Sequence, residues 1–152
     1  MTEPDRRAAF AAMTEALIAD FRAHSGALTS GPFAGRPVLL LTTTGAQSGQ
    51  PRLAPLVYSR AGEHYVIVAS KGGAPTHPAW YHNLLAHPIV TVEVGTERFE
   101  ARARVAEGAD RDRLFAQHSS MSPAFNDYQK RTSRVIPVVV LERLPEGEAT
   151  RN

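Results

Sequence analysis

Cysteine is absent from the 152 residues, which removes disulfides, thiolate nucleophiles and sulfur-ligated metal sites together. That composition fits a reducing cytoplasm, the expected location. Net charge is scarce as well, since 17 Lys and Arg stand against 15 Asp and Glu. Neither a basic block nor a basic–aromatic interleave occurs, so no nucleic-acid partner is expected. The N-terminal stretch lacks a long apolar run. Glu3, Asp5, Arg6, Arg7, Glu15 and Asp20 interrupt it, which excludes a signal core or membrane span there.

Signatures of covalent and metal chemistry are missing too. In Gly45-Ala46-Gln47-Ser48-Gly49 the serine stands one position too late for a nucleophile elbow. The same loop has neither the ending of a P-loop nor the spacing of a Rossmann turn. His77, His82 and His87 recur every five residues, about 140° per step on a helix, so they scatter around it. No carboxylate or thiolate falls in step with them, and no metal site is expected. The acidic residues lie in turns and on polar helix faces, and no pair recommends itself for glycoside chemistry.

What is present fits one domain over 1–152, with 43% hydrophobic residues. Residues 1–34 read as an N-terminal helix and loop, and 143–152 as a polar tail. Phe10, Met13, Leu17 and Phe21 form one apolar stripe of a helix over 5–24, with Thr2 and Pro4 at its start. The stripe suits packing on the core or on a partner, or a flap over a ligand. Strands follow at 38–41, 53–59, 64–70, 89–94, 98–105 and 135–141, with hairpin turns at Ala61-Gly62-Glu63 and Gly95-Thr96-Glu97. Pro137 in the last run suggests an edge or a bulge. Helices are expected at 77–86, 110–118 and 123–131. Six strands, mostly in hairpins, predict a mainly β, six-stranded antiparallel barrel flanked by helices.

Three short motifs put small residues, hydroxyls or cations where strands end and backbone N–H groups are free to meet an anion. In the first, Thr42-Thr43-Thr44 leads to a Gly-bounded turn with Ser48, and Arg52 adds a planar fork. Pro55-Leu56-Val57 offers an apolar wall. In the second, Ser70 and Lys71 precede a glycine pair. In the third, Trp80 and Tyr81 can pack on a planar ring, although a sole tryptophan also suits a core, and Asn83 can read a ring-edge amide. Anion-friendly corners without covalent machinery point to one elongated acidic ligand, a cofactor that carries the chemistry itself.

The joint pattern Thr42–Arg52, Ala69–Ala74 and Pro78-x-Trp80-Tyr81-x-Asn83, with Asp127-Tyr128-Gln129 and Arg134-x-Ile136-Pro137, resembles the deazaflavin-dependent nitroreductase family. The resemblance covers about residues 35–141. It implies the split β-barrel fold shared with FMN-binding proteins, coenzyme F420 as cofactor, and F420H2-dependent hydride transfer to a quinone, an activated enone or a nitro compound. It implies that Ser48 and Arg52, with Gln47 in the same loop, grip the acidic end of the cofactor. Leu53, Ala54, Pro55 and Leu56 would run beneath the ring. Val68, Ala69, Ser70 and Lys71 would lie beside it, and Ala79, Trp80, Tyr81 and Asn83 would close over it. Ser70 and Tyr128 are the implied catalytic residues, with Val57, Ser122, Phe125 and Tyr128 lining the substrate pocket. The family usually has a base where Gln47 stands, and the pocket tyrosines of its founding nitroreductase fall at Val57, Ser122 and Phe125. The partners expected are a small-molecule acceptor, a second copy of the chain, and a weak peripheral membrane contact through the N-terminal helix. An FMN- or FAD-dependent barrel enzyme and a non-catalytic binder of F420 or a lipid-like ligand are the alternatives.

Overall fold

The computed structural model describes residues 2–29 and 33–145; residues 30–32 of the predicted loop and 146–152 of the predicted tail lie outside the described residues. The chain opens with helix α1, Glu3–Ala23. Thr2 caps it: its Oγ1 accepts from the Asp5 N–H, and the Asp5 carboxylate accepts from the Thr2 N–H. Only half of the predicted stripe is covered. Leu17 and Phe21 are buried against the core, whereas Phe10 and Met13 stand exposed.

Strands β1 (Val38–Thr44), β2 (Pro51–Val57), β3 (Ser59–Ala61) and β4 (His64–Val68) come next. Helix α2 (Ala79–Ala86) leads to the hairpin of β5 (Ile89–Val94) and β6 (Glu97–Val105), then to α3 (Gly108–Met121), α4 (Ala124–Lys130) and β7 (Val138–Arg143). All neighbours in the sheet are antiparallel, in the order β2-β1-β5-β6-β7-β4-β3.

The strand count is seven, not six. The run predicted as one strand over 53–59 divides at Tyr58. Before it, Val57 pairs with Val38; after it, Ser59 pairs with Val66. One segment therefore supplies both ends of the sheet order, and the twisted sheet curls until its ends are joined through the chain itself. Pro137 is also placed differently from expectation. It lies just before β7, which sits between β6 and β4 and is no edge. Outside the ladder its missing N–H costs nothing, and its carbonyl accepts from the Ala69 N–H at 2.9 Å. Arg143, assigned by sequence to the tail, is the last residue of β7.

Strand alternation makes two apolar clusters, one on each face of the sheet. Leu39, Leu41, Ile67, Val92 and Leu141 belong to one, with Leu84 of α2. Leu40, Val66, Val138 and Val140 belong to the other, covered by α1, α3 and α4 through Leu17, Phe21, Leu114 and Phe125. Truncating one of the fully buried leucines to Ala would cost about 2–5 kcal/mol. No helix among the described residues is long and apolar enough to cross a membrane.

Candidate functional site

The turn after β1 is built from the inside outward. Gly45 N–H donates to the Gln50 carbonyl at 2.8 Å, and Gly49 N–H to the Gly45 carbonyl at 2.9 Å. The Ser48 hydroxyl accepts from Gln50 N–H at 3.2 Å, and Arg52 Nη2 lies 3.5 Å from the same oxygen. The amides of Gln47 and Ser48 have no acceptor among the described residues. Two free N–H groups, a hydroxyl and a guanidinium thus share one exposed turn, a donor set suited to an oxyanion.

Asn83 braces this turn from behind. It is buried on α2, accepts from Ala46 N–H at 3.0 Å through Oδ1, and donates from Nδ2 to Thr43 Oγ1 at 3.1 Å. The sequence reading gave Asn83 to a ring edge. The structure engages its acceptor and one donor in holding the turn, leaving a single N–H.

The second motif is held by a residue whose part the sequence reading did not assign. Arg134 donates to the carbonyls of Ser70 (2.7 Å), Ala74 (2.9 Å) and Ala69 (3.2 Å), and its Nη1 lies 3.0 Å from His77 Nδ1. Burial, then the neighbouring Arg134 charge and His82, holds the His77 pKa below its ordinary value, so the ring is neutral and accepts at Nδ1. Lys71, Gly72 and Gly73 form a tight 3-10 turn at the end of this segment. Lys71 takes a left-handed conformation at φ 48°, and its Nζ donates to Thr76 Oγ1 at 3.3 Å. Gly73, at φ 83°, is packed so closely on α4 that a Cβ there would stand 2.7 Å from the Tyr128 carbonyl. Any side chain would push α4 away.

Helix α2 joins the two motifs. The His77 ring lies 4.8 Å from that of Tyr81, whose phenol pKa is raised by burial. A tract is linked by contacts from the Ser48 turn to Asn83 of α2, and from Tyr81 of the same helix through His77 and Arg134 to the Ser70 turn, which Gly73 sets against the Tyr128 backbone. Ser70 is 8% exposed, while Arg52 and Lys71 are open to solvent at either end of the tract.

Not all candidates share one face. Leu53, Val57, Val68, Phe125 and Tyr128 gather in the cluster under α1, α3 and α4. Leu56, Trp80 and Tyr81 pack on the opposite cluster, so Trp80 is partly a core residue. Leu53, Ala54, Pro55 and Leu56 are half-buried on β2, an edge strand paired only with β1. Ala79 is exposed at the start of α2, and Ser122 is buried between α3 and α4. Behind Phe125 stands His118, 1% exposed, its ring 4.5 Å away and its Nδ1 2.8 Å from Ser59 Oγ. Burial lowers the His118 pKa from 6.5 to about 4. Among the described residues no group of His, Cys, Asp and Glu could hold a metal ion.

Comparison with known proteins converges on one family. A family model described as F420H(2)-dependent quinone reductase matches residues 16–143. An F420H(2)-dependent quinone reductase of Mycobacterium tuberculosis is 50% identical over 110 residues, covering 70% of this chain and 74% of the relative. Among solved structures, an F420-H2 dependent reductase superposes with a TM-score of 0.66 at 42% identity, covering 70% of this chain and 95% of that one. A second, described as a domain-swapped dimer, has the same TM-score and identity and covers 70% of this chain and 81% of its own.

Proposed function

The chain belongs to the F420H(2)-dependent quinone reductase family, and from that premise we propose that it reduces a quinone-like acceptor with coenzyme F420 held along the tract just described. The cofactor's chemistry fits the donor set. Its acidic end requires oxyanion donors, and the Ser48 turn offers two free amides, a hydroxyl and the Arg52 fork. Lys71 supplies a second exposed cation. Leu53, Ala54, Pro55 and Leu56 give an apolar, half-open strand for a planar ring, and Val68, Ala69, Ala79, Trp80 and Tyr81 would complete the ring site.

When bound and reduced, F420 supplies a hydride from its C5. The protein's own share is orientation and exclusion of water. Asn83 and Arg134 fix the two turns, so the donors are set before a ligand arrives. The Ser70 hydroxyl would hold the acceptor oxygen by a hydrogen bond. As that oxygen gains negative charge, a proton from the Tyr128 phenol or from solvent would complete the reduction. Val57, Ser122 and Phe125 would shape the acceptor pocket. Phe125 keeps an aromatic face where a phenol would add a proton donor.

The carrying observation is the oxyanion turn fixed by Asn83 of α2 and the Ser70 turn fixed by Arg134, which α2 reaches through the Tyr81–His77 ring contact. Fluorescence polarisation of F420 on the purified protein, followed by F420H2 oxidation with menadione, tests it. Saturable binding with turnover is expected. Absence of binding at micromolar cofactor overturns the reading, and binding without turnover makes the protein a carrier. The dimeric relative supports a homodimer as the assembly to test by light scattering. The exposure of Phe10 and Met13 on α1 supports a test of vesicle co-sedimentation for a peripheral membrane contact.

A further inference from the structure

Gln129 ends the Asp127-Tyr128-Gln129 motif and lies half-buried on α4. Its Oε1 accepts from Arg111 Nη2 at 2.9 Å and from the Ile136 N–H at 3.0 Å, while its Nε2 donates to the Arg134 carbonyl at 2.8 Å. Turned over, the amide would set its NH2 group against two donors, so this orientation is fixed. Arg111 of α3, whose side chain is 14% exposed, also donates to the Ile136 carbonyl at 2.8 Å and lies 4.5 Å over the Phe115 ring. Gln129 is thus anchored from α3 before it reaches Arg134.

Residues 131–137 join α4 to β7 without helix or strand, so their backbone groups depend on side chains and other partners. Among the described residues the Arg134 carbonyl accepts from Gln129 alone. The guanidinium of the same residue forks across the carbonyls of Ala69, Ser70 and Ala74. Gln129 and the Ser70 turn therefore grip opposite ends of one arginine. The turn also meets α4 directly, where the Gly72 carbonyl accepts from Arg131 Nη1 at 3.4 Å. The Ser70 hydroxyl itself has no hydrogen-bond partner among the described residues. Its place is set by the backbone that carries it, and Arg134 holds that backbone.

We propose that Gln129 is a positioning residue for the acceptor, holding the Ser70 hydroxyl in place through Arg134. The role rests on Ser70 taking the acceptor oxygen, as proposed above. A hydrogen bond weakens steeply once donor and acceptor lose alignment, and a misplacement of about 1 Å costs up to about a hundredfold in rate. The Ser48 turn is fixed separately by Asn83, so loss of Gln129 spares the grip on the acidic end of the cofactor.

Gln129→Glu tests the link. The carboxylate still accepts from Arg111 and from the Ile136 N–H, which keeps α4 in place, but offers no donor to the Arg134 carbonyl. With F420H2 and menadione, kcat/KM of the full chain should fall about tenfold, with F420 affinity within about threefold of the wild type. Gln129→Met removes the donor without adding a charge and should show the same loss. The Ser70→Ala/Gln129→Glu double variant should lie within about twofold of Ser70→Ala alone, because the hydroxyl that Gln129 positions is already gone. A merely structural role would make the two losses multiply. Exchange of the Arg134 Nε–H, followed by NMR without cofactor, should quicken about tenfold in Gln129→Glu. A wild-type chain that neither binds nor turns over F420H2 overturns the proposed function and this role with it. Wild-type turnover with multiplying losses, with full kcat/KM in either Gln129 variant, or with unchanged Arg134 exchange overturns the role of Gln129 alone.

Discussion

Replacing Arg134 with Met tests whether the Ser70 turn is held from within. The guanidinium donates to the carbonyls of Ala69, Ser70 and Ala74 at 3.2, 2.7 and 2.9 Å. A hydrogen bond from a charged donor contributes about 1.5–3 kcal/mol, but Lys71 and Gly72 beside it are exposed, so water can meet part of the loss. The three bonds also form one network and do not add. The expected destabilisation is therefore about 2–4 kcal/mol, a fall in Tm of roughly 5–15 °C for a domain of this size. Arg134→Lys should recover less than half, because an ammonium reaches one or two carbonyls and cannot fork across three. A second readout separates stability from position. Removing the cation lets the His77 pKa rise, measurable by imidazole NMR, because Arg134 is one of the groups that depress it. Urea unfolding, F420 affinity and kcat/KM would be measured on both variants. If Arg134→Met unfolds within about 0.5 kcal/mol of the wild type and binds and turns over F420H2 normally, the brace does not hold the turn.

Four further outcomes are expected. Burial lowers the His118 pKa from 6.5 to about 4, so the unfolded chain binds the proton more tightly; stability is full above about pH 6.5 and falls by roughly 3 kcal/mol towards pH 4. His118→Gln, which still offers Ser59 a partner, should flatten that slope in urea melts across the window. Asn83→Leu strands the Ala46 amide and the Thr43 hydroxyl, costing about 2–3 kcal/mol and weakening F420 binding in polarisation assays. Ser70→Ala should lower kcat/KM for menadione about tenfold with F420 affinity unchanged; an equal loss in affinity would mean that Ser70 holds the cofactor instead. Lys71→Gly relieves a left-handed backbone at φ 48° and should raise stability by about 1 kcal/mol, while the lost cation weakens F420 binding in a salt-dependent way.

Much of the fold was legible because its signals are local. The hairpin of β5 and β6 follows from alternation around Gly95-Thr96, and α1 begins where Thr2 and Asp5 can cap each other. The break at Tyr58 carries no such signal. It is imposed by curling, which requires one segment to leave β1 and join β4. The anion-friendly turns were visible in their small residues and cations, but their braces were not. Asn83 reaches groups 37 and 40 positions away, and Arg134 reaches back 60 to 65. Periodicity within a window cannot reveal partners at that separation. His77 and Arg134 are readable as a pair only once β4 and β7 lie side by side.

The way the sheet ends bears on how the protein behaves at high concentration. A free strand edge is a template for polymerisation, and here both edges are blunted. At one end β3 is only three residues long, carries Arg60 at its centre, and has that residue's carbonyl occupied by the Gln117 side chain. At the other, Pro51 and Pro55 deny β2 two amides that an incoming strand would need. Fibril nucleation through edge-to-edge addition is thereby discouraged in a chain whose strands are otherwise rich in Val, Ile and Leu.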